Sequence, residues 1–256
     1  EAHGVHETVD ARRFGTRWRG SLLAASQWVE LSEIEPTAAT DLFDLEGQSQ
    51  LTTVAFQLTR NTTDDRINPG RGAATTIGIE RAGVLGGDFD YTKLSLDHTI
   101  FATLNEDFLG NKTTLKLSGE VGYVPEGQGS IPVFERFFRG GRNFRGFDFR
   151  AISPFGVRAD NGQRSEDPVG GAWELFLGAE IKQPVFEDIV AVVFFVDSGT
   201  VTNDPGFEEY RVSIGTGLRL VTPLSPAPIA FDFGFPIVSE ETDDERLFTF
   251  SVDIPF

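Results

Sequence analysis

The C-terminal segment alternates strictly with period two. Phe248, Phe250, Val252, Ile254 and Phe256 share one face, and Thr249, Ser251, Asp253 and Pro255 the other. An α-helix would scatter these residues around its axis, whereas a β-strand sorts them onto two sides. The preceding segment repeats the pattern, with Ile229, Phe231, Phe233, Phe235 and Ile237 set against Ala230, Asp232, Gly234 and Pro236. Upstream, Val212, Ile214, Leu218 and Leu220 alternate with Arg211, Ser213, Gly215, Gly217 and Arg219. Leu115, Leu117, Val121 and Tyr123 alternate with Lys116, Ser118, Glu120 and Gly122. Leu94, Leu96, Ile100 and Leu104 do so with polar neighbours, His98 falling on the apolar side. The pattern predicts ten strands, near 14–31, 50–62, 72–83, 89–104, 112–124, 171–185, 189–201, 209–222, 228–238 and 247–256, with residues 1–12 ambiguous.

A soluble sandwich and a membrane barrel share this alternation. Asp232 and Asp253, placed mid-strand among phenylalanines, favour a polar lumen wall. So do segments of ~9–12 residues separated by short turns and longer polar loops. Turns are expected at Asn105–Asn111, Phe186–Asp188 and Thr222–Pro228. Longer loops, expected to face outward, are Pro36–Ser49, Asp64–Gly72, Pro125–Pro132, Arg158–Gly171 and Ser239–Arg246. The longest apolar run, Ile189–Val196, is far too short for a membrane helix. The 24 Phe and 28 Gly fit apolar outer faces and close strand contacts. The reading is an all-β, antiparallel transmembrane β-barrel of about 10–12 strands, one domain over residues 1–256 without a linker.

Composition also excludes function classes. The formal charge of −17 argues against nucleic acid, because phosphate binding needs a basic surface. With no Cys there is no disulfide, thiol catalysis or Cys-based zinc site. The only histidines are His3, His6 and His98, and no nucleophile elbow, phosphate loop or metal spacing occurs. We therefore expect no enzyme activity, metal or cofactor. The acidic run Glu240, Glu241, Asp243, Asp244 and Glu245 reads as a solvated loop, with calcium binding the alternative.

The stretch Phe134–Arg150, FERFFRGGRNFRGFDFR, resembles the hallmark loop of the Omp85 superfamily, with its Arg-Gly-Phe tip at Arg145, Gly146 and Phe147. Glu135, Arg136, Phe137, Gly140 and Gly141 fit the lead-in. Further matches follow in family order: RNTTDDRINPGRG from Arg60, then Gly178, Glu180 and Pro184, then Phe195, Asp197 and Gly199, then Gly215–Pro226 with Phe231–Pro236, and the terminal Phe256. Within the superfamily the chain looks most like the BamA-type assembly-factor branch.

The resemblance implies a bacterial outer-membrane protein that assembles, inserts or translocates other proteins without a covalent step, by strand-edge templating and local membrane perturbation. The alternative is a passive pore or polypeptide secretion channel of the same superfamily. Implied partners are outer-membrane lipid, unfolded outer-membrane protein clients and periplasmic accessory lipoproteins. Family barrels carry sixteen strands and preceding POTRA domains, so the chain is expected to be N-terminally incomplete, the C-terminal part of a longer barrel, with a reduced member of the superfamily as the alternative. The hallmark loop is implied to fold into the barrel, with Arg145 facing the wall residues Glu180 and Asp197, beside Gly199. Phe137, Phe138, Phe144, Phe147 and Phe149 read as packing for the loop base, or as client contacts. Phe248, Phe250, Val252, Ile254 and Phe256 read as a lipid-facing strand, a client-pairing edge, or the protein's own insertion signal.

Overall fold

Strand-forming alternation occupies most of the chain, and in the computed structural model it produces one dominant sheet. Residues 7–14, 18–186, 189–222 and 225–252 are described. The elements are β1 (Glu7–Phe14), β2 (Trp18–Leu31), α1 (Thr40–Phe43), β3 (Gly47–Asn61), β4 (Gly72–Ala82), β5 (Thr92–Glu106), β6 (Lys112–Tyr123), β7 (Gly146–Phe147), β8 (Phe155–Val157), β9 (Arg164–Pro168), β10 (Trp173–Phe186), β11 (Val190–Thr202), β12 (Arg211–Thr222), β13 (Ser225–Val238), β14 (Glu245–Arg246) and β15 (Phe248–Val252). Among the described residues, eleven strands form the wall in the order β1-β2-β3-β4-β5-β6-β10-β11-β12-β13-β15, and all neighbours are antiparallel. Such a fold is the barrel wall that the alternation predicts. The segment expected as one strand over 14–31 begins at Trp18, and the ambiguous N-terminal stretch supplies β1, in register from Glu7↔Ala24 to Phe14↔Trp18. Asp253, Ile254 and Phe256 lie outside the described residues.

Side-chain parity divides the wall. Leu22, Phe56, Ile77, Leu96, Leu117, Leu177, Phe194, Ile214, Phe233 and Phe250 are all exposed on the outer face. An apolar band this large is stable only against lipid or another apolar phase. The inner face carries Lys116, Glu120, Glu180, Asp197, Arg219 and Asp232. The sheet curls over that face: Lys182 on β10 donates to Asn68 Oδ1 of the β3–β4 connection, across the positions of β4, β5 and β6.

One end of the wall bears the connections 62–71 and 107–111 and the ends at which β1 and β2, β10 and β11, and β12 and β13 adjoin. The other bears 32–46, 83–91, 124–172, 203–210 and 239–247. Residues 62–71, expected among the outward loops, therefore belong to the turn end, because antiparallel strands must alternate ends. Polarity and length misled here. The turn is internally knitted: Asp64 Oδ1 accepts from the N–H groups of Asp65 (3.0 Å), Gly70 (2.9 Å) and Arg71 (2.9 Å). The Arg71 and Gly70 amides hold the Asp64 carboxyl below its ordinary range.

The best-buried cluster lies inside the wall. Residues 124–172 fold back over its inner face, and Tyr91, Val124, Ile131, Phe137, Phe144, Phe147, Ile152, Phe176 and Val201 form a core there.

Candidate functional site

The 124–172 segment is laced to itself before it meets the wall. Val124 N–H donates to Ala172 O (2.8 Å), Phe137 pairs with Gly171, and Arg139 with Ile152. The Gly141 amide closes the tip by donating to Phe147 O (2.8 Å). Phe144 and Phe147, both fully buried, pack edge to face at 5.3 Å, and Phe144 meets Phe176 of β10 at 5.6 Å. Phe149 departs from the expected packing role. It is 71% exposed and points into a lumen cavity of about 510 Å³, shared with Lys116, Arg142, Arg145, Glu180 and Asp232. The aromatic cluster seals only one side of the tip.

Gly146 has φ +97°, a conformation in which a Cβ is strained. A Cβ there would also sit 3.1 Å from Ser213 Cβ and 3.3 Å from Pro236 Cδ. The tip thus lies directly on β12 and β13.

Arg145 projects from this tip between β10 and β11. Its Nε and Nη2 donate to Asp197 Oδ2 and Oδ1, each at 2.8 Å, and its backbone N–H reaches Oδ2 at 3.1 Å. Nη1 donates to Glu180 Oε2 at 2.7 Å. The guanidinium also stacks 3.4 Å from the Phe195 ring centroid. Glu180 and Asp197 come together because their strands pair Gly178↔Asp197 and Glu180↔Phe195, which puts both carboxylates on the inner face one step apart. A planar fork satisfying two carboxylates is the strong geometry for such a site. Gly199 lies against β10 rather than against the loop: a Cβ there would sit 2.2 Å from Leu175 O.

Several participants lie outside the Arg-Gly-Phe tip. Arg219 on β12 donates to Asp232 (2.7 Å) and to Glu180 (3.2 Å), so two guanidiniums share three carboxylates. Arg139, 5% exposed, bridges Glu120 (2.6 Å) and Glu174 (2.8 Å) and lies 5.0 Å from the Phe176 ring. Arg136 binds Asp41 (2.7 Å) and the Ile131 and Val169 carbonyls. The signal was available in principle, as inward parity on neighbouring strands, but it requires the register.

The last connection joins the same assembly. In it, β14 pairs with β7, Glu245 opposite Phe147 and Arg246 opposite Gly146. Asp148 N–H donates to Asp244 O (2.8 Å), and Arg211 Nε and Nη2 each reach Asp243 at 2.9 Å. The Asp243 side chain is fully buried and departs from the solvated-loop reading, whereas Glu240, Glu241, Asp244 and Glu245 are exposed as that reading expects. The function of Asp243 is to close an ion pair.

On β15, Phe248, Phe250 and Val252 face outward. Phe250 meets Phe231 at 5.3 Å and Phe248 meets Phe233 at 5.2 Å. The strand is held to β13 from Ile229↔Val252 to Phe233↔Phe248.

This architecture has known counterparts. The Omp85 superfamily domain matches residues 4–256. The outer membrane protein assembly factor BamA of Nitratidesulfovibrio vulgaris is 30% identical over 225 residues, covering 85% of this chain and 27% of that protein. The sorting and assembly machinery component 50 homolog B of Xenopus laevis is 25% identical over 185 residues, covering 69% of this chain and 37% of its own length. Among solved structures, BamA from Haemophilus ducreyi lacking POTRA domains 1–3 superposes with a TM-score of 0.70 at 19% identity, over 96% of this chain and 56% of that one. CdiB from Acinetobacter baumannii gives 0.61 at 16% identity, over 98% and 41%. The chain thus spans a quarter to somewhat over half of the proteins it resembles. With a family match across nearly its whole length, and its strands forming the wall of a bacterial outer-membrane barrel, the chain belongs to the Omp85 superfamily.

Proposed function

We propose that this chain forms the membrane wall of an outer-membrane protein assembly factor, working on unfolded outer-membrane protein clients without a covalent step. The observation that carries this reading is the contrast between a locked lumen and a wall strand, β15, whose outer edge is unpaired among the described residues. Arg145, Arg139 and Arg211 pin the internal loop and the last connection by buried ion pairs. By contrast, β15 joins the wall through β13 alone among the described residues. The far side of β15 pairs with no strand among the described residues. An edge of that kind offers backbone donors and acceptors to an incoming strand. Similarity to the bacterial assembly factor supports the same reading. Periplasmic accessory lipoproteins would be further partners.

A passive pore is less well supported, because the loop folds back over the inner face of the wall and packs a buried core there. The test is reconstitution of the chain in liposomes with a urea-unfolded outer-membrane client. Folded, protease-resistant client should accumulate several-fold faster than in empty liposomes. No acceleration, together with a steady ionic conductance, would instead select the pore.

A further inference from the structure

The outer wall carries a polar file that its lipid-facing role does not call for. Trp18 pairs with Arg60, Arg60 with Thr75, Thr75 with His98, and His98 with Gly119. All share the outward parity of Leu22, Phe56, Ile77, Leu96 and Leu117, so they form one cross-strand row on the face that lipid covers. Directly opposed side chains in such a row touch. Thr75 Oγ1 and His98 Nδ1 are hydrogen-bonded at 2.9 Å, so each satisfies the other.

Arg60 is different. Its guanidinium lies 5.6 Å from the Trp18 ring, and its buried Nε has no hydrogen-bond partner among the described residues. The outward-facing arginine toward the other end of the same wall, Arg81, is paired with both Asp90 and Glu126. A cation on a lipid-facing wall demands an anion, and no carboxylate among the described residues pairs with Arg60.

Depth identifies the anion. Arg60 stands one residue from the end of β3 and Trp18 at the start of β2, both at the turn end, where short connections face the periplasm. Tryptophan and arginine at that height mark the membrane–water interface, the level of the phospholipid phosphates. We propose that Trp18 and Arg60 form a seat for one phospholipid of the inner leaflet. Arg60 takes the phosphate, and the indole flanks the glycerol region. A guanidinium offers several donors in a fixed plane and so matches phosphate oxygens well.

Native mass spectrometry of the chain in neutral detergent, titrated with phosphatidylglycerol, tests this. One lipid should be retained at concentrations at least about fivefold below those giving further adducts, since one charge-assisted phosphate contact is worth about that ratio or more. Arg60→Gln should abolish that first step, Arg60→Lys should keep part of it, and Arg81→Gln should leave it unchanged. Each variant is first shown to retain the heat-dependent gel mobility of a folded barrel. Unchanged lipid retention in folded Arg60→Gln would overturn the proposal. So would equal loss in Arg81→Gln, or full displacement of the lipid by an equal concentration of inorganic phosphate.

Discussion

Arg145 grips Asp197 three times, through its backbone amide, Nε and Nη2. One side chain therefore fixes both where the loop tip sits and which way it faces. Arg145→Ala leaves Asp197, 2% exposed, without its main partner. Removing one member of a buried pair costs about 3–5 kcal/mol. The temperature at which the folded gel band is lost should fall well below that of the parent. Arg145→Lys should recover only part of the loss, since an ammonium cannot reproduce the fork. The double variant Arg145→Ala with Asp197→Ala should cost less than the sum of the singles, which would measure the coupling directly.

Gly146→Ala tests the approach of the tip to the wall. The added methyl meets Ser213 and Pro236 at a φ of +97°. A destabilisation of more than about 1 kcal/mol is expected, from the backbone strain alone. Denaturant midpoints in detergent would show it, and a neutral result would mean that the tip can withdraw from β12 and β13 freely.

Arg211→Ala should release the last connection while leaving the wall intact. Asp243 would then be a buried, unpaired carboxylate, and the β14–β7 ladder would lose its support. Trypsin should cut after the exposed Arg246 at least about tenfold faster than in the parent, the ratio given by 1.4 kcal/mol of local opening. Unchanged cleavage would show that the ladder alone holds the loop.

The 62–71 turn should be acid-labile. Asp64 has a lowered pKa in the folded chain, so its contribution is present above the ordinary value of 3.8 and is lost as the pH falls through the depressed one. Amide exchange at Gly70 and Arg71 should accelerate over that range beyond the intrinsic pH trend. Asp64→Asn should show the faster exchange already at neutral pH.

Much of the wall was legible because a strand with one lipid face must alternate, and Phe250, Phe233 and Ile214 do so without interruption. Two local features resisted. β1 was ambiguous because its residues, ETVDARRF, mix charges on both parities, so only the pairing with β2 reveals it. The 62–71 turn was assigned to the wrong end because polarity carries no information about which end of a strand a loop joins. At the site, the Arg-Gly-Phe tip stood out as a motif. Arg139, Arg211 and Arg219 did not, because what singles each out is a carboxylate on another strand or loop. That relation exists only once the register is set: Arg219 opposite Ala230 brings Asp232 within reach, and a slip by one residue would turn it to the lipid.

The β14–β7 ladder makes the final strand and the lumen loop one machine part. Sliding β15 by two residues along β13 would keep Phe248 and Phe250 on the greasy side, so the alternation of the strand does not by itself resist such a slip. The brake lies elsewhere, in Glu245 and Arg246 zipped to Phe147 and Gly146, next to the Arg145 anchor. A tug on the last strand is thus felt at the centre of the barrel before the strand can shift its footing.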